Sequence, residues 1–144
     1  MTREVLIVDD NEQERTIFST YLQFVGGTVL EAGNGEEGLR MARERVPSLI
    51  LLDLTMPVMD GWETLRRLKA DPETQWIPVL ALTAHHLDGE RLREAGFCGY
   101  LEKPIVPFHV LAEIEACIGP LHGGEAGSEH SSGSGHRGGG MWRA

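Results

Sequence analysis

Val5-Leu6-Ile7-Val8-Asp9-Asp10 joins four consecutive apolar residues to a pair of carboxylates, and the same arrangement recurs along the chain. Leu49-Ile50-Leu51-Leu52 runs into Asp53, Val79-Leu80-Ala81-Leu82 runs into Thr83, and Lys103-Pro104 follows a fourth apolar run. Short, continuous apolar runs separated by helical stretches are the pattern of strands buried on both faces, as in parallel sheets. In such a sheet all the carboxyl ends lie along one edge. That edge would carry Asp9, Asp10, Asp53, Thr83 and Lys103: three carboxylates, one hydroxyl and one ammonium. Three uncompensated carboxylates repel one another strongly, so a hard divalent cation, together with Lys103, is expected to supply the missing positive charge.

Working outward, helical patterns alternate with these strands. The first strand, about residues 4–8, leads to a helix announced by Asn11 as N-cap with Glu14 at the capping-box spacing. Its apolar face reads Ile17, Phe18, Tyr21, Leu22 and Val25, and Gly26-Gly27 stops it. A short strand over 28–32 and an Asn34-Gly35 turn precede a helix with Leu39, Ala42 and Val46 on one face, ended by Pro47. Beyond the third strand, 49–52, Trp62, Leu65 and Leu68 fall at helical spacing, with Trp62 read as core. The fourth strand starts after Pro78, a helix covers about 88–95, and the fifth strand lies near 98–101. Pro107 sits where a first-turn proline belongs, ahead of Val110, Leu111, Ile114 and Ile118. The expected fold class is α/β: a (βα)5 doubly wound, parallel five-stranded sheet in the flavodoxin-like order 2-1-3-4-5. That order reverses between the first and third strands, which places Asp9, Asp10 and Asp53 at the crevice.

The 144 residues suit one domain, read as 1–118. This part holds all of the net charge of −9, and an acidic body argues against direct nucleic-acid binding. No apolar stretch approaches the roughly 20 residues of a membrane span, and the polar N-terminus has no export signal, so a cytoplasmic location is expected. Cys98 and Cys117 show no metal-type spacing and no partner pattern, and are read as small core residues of a reducing compartment. Residues 119–144 are rich in Gly, Ser and His, with too little apolar surface to offset ordering entropy, and are expected to form a flexible, disordered tail. Its histidines, His122, His130 and His136, are too scattered for a metal site.

The edge residues suggest a chemistry. Mg2+ prefers oxygen ligands and commonly takes one or two carboxylates plus a phosphate. Asp10 and Asp53 could ligate it directly, with Asp9 orienting a bound water. A carboxylate can also be a nucleophile that forms an aspartyl phosphate, provided charge on the phosphoryl oxygens is neutralised. Asp53, at the end of the central strand, is the natural attacker, with Mg2+, Lys103 and the Thr83 hydroxyl plus backbone amides each taking one phosphoryl oxygen. Singly, the two N-terminal aspartates could be helix caps, Thr83 a strand end and Lys103 a solvated cation. The five together have no such account.

At these residues the chain resembles a response-regulator receiver domain of two-component signalling. The resemblance covers residues 4 to about 118. It rests on Val5-Leu-Ile-Val-Asp-Asp-Asn11, the stretch Leu51-Leu-Asp-Leu-Thr-Met-Pro-Val-Met-Asp-Gly61, Leu82-Thr-Ala84 and Tyr100-Leu-Glu-Lys-Pro104. It implies phosphorylation of Asp53 by a sensor histidine kinase or histidine phosphotransfer protein, self-catalysed rather than by a dedicated enzymatic activity of this chain. Mg2+, with Mn2+ as a substitute, would be held by Asp9, Asp10, Asp53 and the backbone carbonyl of Thr55. Thr83, Ala84, Lys103 and Tyr100 would bind the phosphoryl group and switch. The output would be a downstream protein reading the face of the fourth helix, fifth strand and fifth helix, with a phosphorylation-dependent homodimer as a further outcome. Thr55 and His85 fall where the family tunes phosphoryl lifetime, and a bulky His85 at the cleft mouth would alter access of the hydrolytic water. Glu14, Arg15 and Phe18 on the first helix would be candidates for the kinase-docking surface, with the core as the alternative place for Phe18.

Two other readings use the same residues. A metal-dependent phosphohydrolase passing through an aspartyl phosphate would want an acid two residues after the nucleophile, where Thr55 stands. A flavin-binding domain would want a phosphate loop after the first strand, where Asp9-Asp10-Asn11 would repel phosphate.

Overall fold

The computed structural model describes residues 3–84 and 89–121. His85 and the tail histidines lie outside the described residues. Five strands and five helices alternate: β1 (Glu4–Val8), α1 (Glu12–Phe24), β2 (Thr28–Ala32), α2 (Gly35–Arg45), β3 (Leu49–Asp53), α3 (Gly61–Ala70), β4 (Val79–Thr83), α4 (Gly89–Ala95), β5 (Gly99–Glu102) and α5 (Pro107–Ile118). All strand pairs are parallel and the order is β2-β1-β3-β4-β5, as the sequence predicts.

Strand side chains alternate between faces, which divides the apolar runs into two cores. Leu6, Val8, Ile50, Leu52, Val79 and Ala81 meet Leu39 and Ala42 of α2, Leu65 and Leu68 of α3 and Leu92 of α4. Val5, Ile7, Leu49, Leu51, Leu80 and Leu82 meet Phe18 and Leu22 of α1 and Val110 and Ile114 of α5. Each fully buried aliphatic side chain stabilises the fold by roughly 1.5–3 kcal/mol. Close approach matters as well as bulk. A Cβ at Gly38 would lie 2.8 Å from Val8 Cγ2, so α2 packs on β1 with no space for a side chain there.

Several local expectations are corrected. Val46 leaves the α2 face: it adopts a left-handed conformation (φ 44°) as the C-cap and is exposed, because Pro47 disfavours helical geometry at the residue before it. Ile17 is likewise exposed on α1. The fifth strand is one residue later than expected, and α3 is capped by Asp60, whose carboxylate accepts the Glu63 amide at 2.9 Å.

Cys98 and Cys117 do have a partner, each other. They form a disulfide, with Cα atoms 6.1 Å apart. The spacing of 19 residues carries no such signal in sequence, because β5 and α5 become neighbours only when the chain folds back. Packing also continues past Ile118. Leu121 is buried, its carbonyl accepts the Arg3 amide at 2.9 Å, and its side chain fills the space a Cβ at Gly27 would need.

Candidate functional site

β1 and β3 are adjacent at the point where the strand order reverses, and their C-terminal ends bring Asp9, Asp10 and Asp53 together. One oxygen from each carboxylate falls within 4.8 Å of the others. Asp9 and Asp53 are buried, whereas Asp10 is exposed.

Asp9 is held from several directions. Its Oδ1 accepts the Asn11 amide at 2.9 Å, its own amide donates to the Ala32 carbonyl at 3.1 Å, and its carbonyl accepts Arg15 Nη1 at 2.7 Å. Its Oδ2 is buried without a hydrogen-bond partner. Burial, followed by the adjacent Glu14 carboxyl and the Asp53 charge, pushes the Asp9 carboxyl up to about 8. Asp53 is also raised by burial, although the Thr55 amide and Lys103 oppose the shift. The Thr55 amide donates to Asp53 Oδ1 at 3.1 Å, and Lys103 Nζ lies 3.3 Å from Asp53 Oδ2.

β4 and β5 complete the edge. Thr83 is buried at the end of β4, and its carbonyl accepts the Lys103 amide at 2.8 Å, which sets the lysine backbone beside the threonine. Ala84 follows at the exposed rim. Tyr100 packs, half-buried, against the α2–α3–α4 core, and its ring lies next to Gly89 at the start of α4. Trp62 packs edge-on against Phe97, with the Arg91 guanidinium over its ring, in agreement with a packing role. All five edge residues therefore converge as expected, while His85 lies outside the described residues.

Two residues of the expected docking surface also contact the site. Glu14 Oε1 pairs with Lys103 Nζ at 2.9 Å. Burial works to raise Glu14, but the neighbouring Asp9 carboxyl and Lys103 ammonium hold it below its ordinary value. Burial works against the Lys103 charge, yet Glu14 and the Asp53 and Asp9 charges raise it overall. Arg15 braces Asp9 and also pairs with Glu31 on β2 at 3.0 Å. Phe18 is core. A capping-box Glu would ordinarily bond the N-cap amide. Here Asp9 takes that amide, a competition the spacing Asn11…Glu14 could have suggested only with Asp9 considered too.

A hard divalent cation fits these donors. They are all oxygens, they are net negative, and one buried oxygen lacks a partner. Two residues after Asp53, the chain offers the exposed Thr55 rather than the acid that a phosphohydrolase would use.

A family model described as the response regulator receiver domain matches residues 5–115. The polar-differentiation response regulator DivK of Brucella ovis is 37% identical over 121 residues, spanning 83% of this chain and 98% of that protein. Among solved structures, the Vibrio cholerae chemotaxis protein CheY4 superposes with a TM-score of 0.76 at 29% identity, over 81% of this chain and 99% of its own. The receiver domain of a Pseudomonas aeruginosa sensor histidine kinase, with a magnesium ion coordinated in its active-site cleft, does so at 0.74 and 30%, over 83% and 100%. With the acid notch, the buried hydroxyl and the lysine at one sheet edge, this chain belongs to the response regulator receiver family, the phospho-accepting modules of two-component signalling.

Proposed function

We propose that Asp53 is the phosphoryl acceptor and that the surrounding residues catalyse transfer onto it. The observation that carries this reading is the placement of Asp53: buried, 3.3 Å from the Lys103 ammonium, and grouped with Asp9 and Asp10. A phosphohistidine on a sensor kinase or phosphotransfer protein would present phosphorus to an Asp53 oxygen. The new O–P bond forms as the P–N bond to imidazole breaks. Asp10, Asp53 and the Thr55 carbonyl would hold Mg2+, or Mn2+ in its place, with Asp9 orienting a water. When bound, the ion supplies positive charge to one phosphoryl oxygen. Lys103 neutralises a second, and the Thr83 hydroxyl with the Ala84 amide receives the third. Hydrolysis of the aspartyl phosphate by the same site returns the domain to rest, with Thr55 and His85 at the tuning positions.

The output follows from two packings of one core. The phosphoryl group favours the packing in which Thr83 moves toward it and Tyr100 turns inward, and the face made by α4, β5 and α5 changes shape. A downstream protein, or a second copy of the chain, reads that face. We assign the signalling unit to residues 1–118 together with Leu121, which packs against it, and place its action in the cytoplasm. Among the described residues no helix is long and apolar enough to cross a membrane.

Incubation with a small phosphodonor and Mg2+, read by intact mass, tests the assignment. One phosphoryl group should add to the wild type and none to Asp53→Asn. Equal labelling of the two would overturn it.

A further inference from the structure

Glu14 is the residue near the site whose placement the acceptor chemistry does not require. It stands in the first turn of α1, where its amide is bound by the Asn11 side chain at 3.0 Å. The return half of that capping box is absent, because Asp9 Oδ1 already accepts the Asn11 amide. The Glu14 carboxylate is thereby released from capping and reaches across the pocket to Lys103 Nζ at 2.9 Å, shorter than the 3.3 Å from that nitrogen to Asp53. Both partners are largely covered, with side-chain exposures of 27% and 20%, so solvent screening is reduced. The contact of Glu14 Oε1 with the Lys103 ammonium is an ion pair, which a competing anion can displace.

We infer that Glu14 is a positioning residue that holds the Lys103 ammonium between two carboxylates, so that an incoming phosphoryl group must draw the lysine away from Glu14. This rests on Asp53 being the acceptor. In the resting state Glu14 keeps Lys103 from settling wholly on Asp53, which leaves Asp53 available to a cation. In the phosphorylated state Glu14 competes with the phosphoryl oxygens for the same ammonium. One carboxylate therefore acts in opposite directions on the two ligands: it favours the metal and disfavours the phosphoryl group.

Calorimetric titration of the full chain tests this, with Mg2+ alone and then with fluoroberyllate, a phosphoryl mimic, at saturating Mg2+. In Glu14→Gln, fluoroberyllate should bind roughly three- to tenfold tighter, and Mg2+ alone should bind several-fold more weakly. Glu14→Asp retains the charge but is too short to span the pocket, so it should follow Glu14→Gln for fluoroberyllate. Glu12→Gln removes an exposed charge from the same helical turn and should match the wild type for both ligands. The inference is overturned by unchanged fluoroberyllate affinity in Glu14→Gln, by wild-type behaviour of Glu14→Asp, or by an equal effect of Glu12→Gln. A wild type that binds no fluoroberyllate would instead overturn the acceptor assignment itself, and this inference with it. Since the Asn11 cap bonds the backbone amide of residue 14, the glutamine variant keeps its helix start.

Discussion

Arg15 donates through Nη1 to the carbonyl oxygen of Asp9 at 2.7 Å while its Nε meets Glu31 Oε1 at 3.0 Å, so one side chain ties α1 to the ends of β1 and β2. Its side chain is only 17% exposed, which leaves little of it for a partner to touch. Arg15→Ala should lower stability by roughly 1–2 kcal/mol through loss of a charge-assisted hydrogen bond. It should also slow labelling by a small phosphodonor, because the Asp9 backbone loses its brace. Chemical denaturation and donor labelling without any kinase provide the check. A defect seen only with the kinase would return Arg15 to the docking surface.

The acid notch gives the protein a stability that depends jointly on pH and on Mg2+. Asp9 has an ordinary value of 3.8 and is raised to about 8 in the folded, metal-free protein. The folded state therefore binds a proton that the unfolded chain has released. The contribution of Asp9 to stability is fully present below about pH 4 and is lost as pH rises through about 8. Buried Glu113 shifts in the same direction, but it lies away from the notch on α5. The difference in melting temperature with and without Mg2+ isolates the notch: it should widen from pH 5 to pH 8, as the cation replaces the proton. A difference that is flat across this range would contradict the assignment of Asp9 to the cation site.

Gly61 stands at the end of the motif that begins with Asp53, and its role is spatial. A Cβ there would lie 2.6 Å from the Asp53 carbonyl oxygen and 2.6 Å from Leu54 Cα. Backbone cannot yield as a flexible side chain can, so Gly61→Ala must move the start of α3 away from β3. Stability should fall by about 1–3 kcal/mol. The Thr55 amide bond to Asp53 Oδ1 should be disturbed as well. Urea unfolding measures the first effect, and a weaker Mg2+ titration would report the second.

The strands were readable because their chemistry is local. Four-residue apolar runs ending in Asp53 or Thr83 signal a doubly covered parallel sheet, and that sheet order places the edge residues together. Glu14 and Arg15 were harder to place, since a charged residue in a first helical turn is ordinarily solvated. Their inward direction depends on Asp9 claiming the Asn11 amide and on Lys103, almost ninety positions away, arriving opposite. Val46 shows the same limit at smaller scale. Helical spacing placed it on the apolar face, but the proline after it decided its backbone.

The Cys98–Cys117 pair joins the segment entering β5 to the last turn of α5, and so constrains two elements of the proposed output face. Closing a loop of this length restricts the unfolded chain, an effect of about 3 kcal/mol in the chain-entropy description. Reductant should therefore lower the unfolding free energy of the wild type by about that amount. Cys98→Ser should show the lower value under both conditions and lose its response to reductant. The site itself is expected to persist, because Lys103 remains anchored by its amide bond to the Thr83 carbonyl at 2.8 Å whatever the state of the sulfurs. Guanidinium denaturation with and without reductant, together with donor labelling of the reduced protein, measures both. Identical denaturation curves would show that the pairing adds nothing to stability. Lost labelling would show instead that the position of Lys103, just after β5, depends on the cross-link just before that strand.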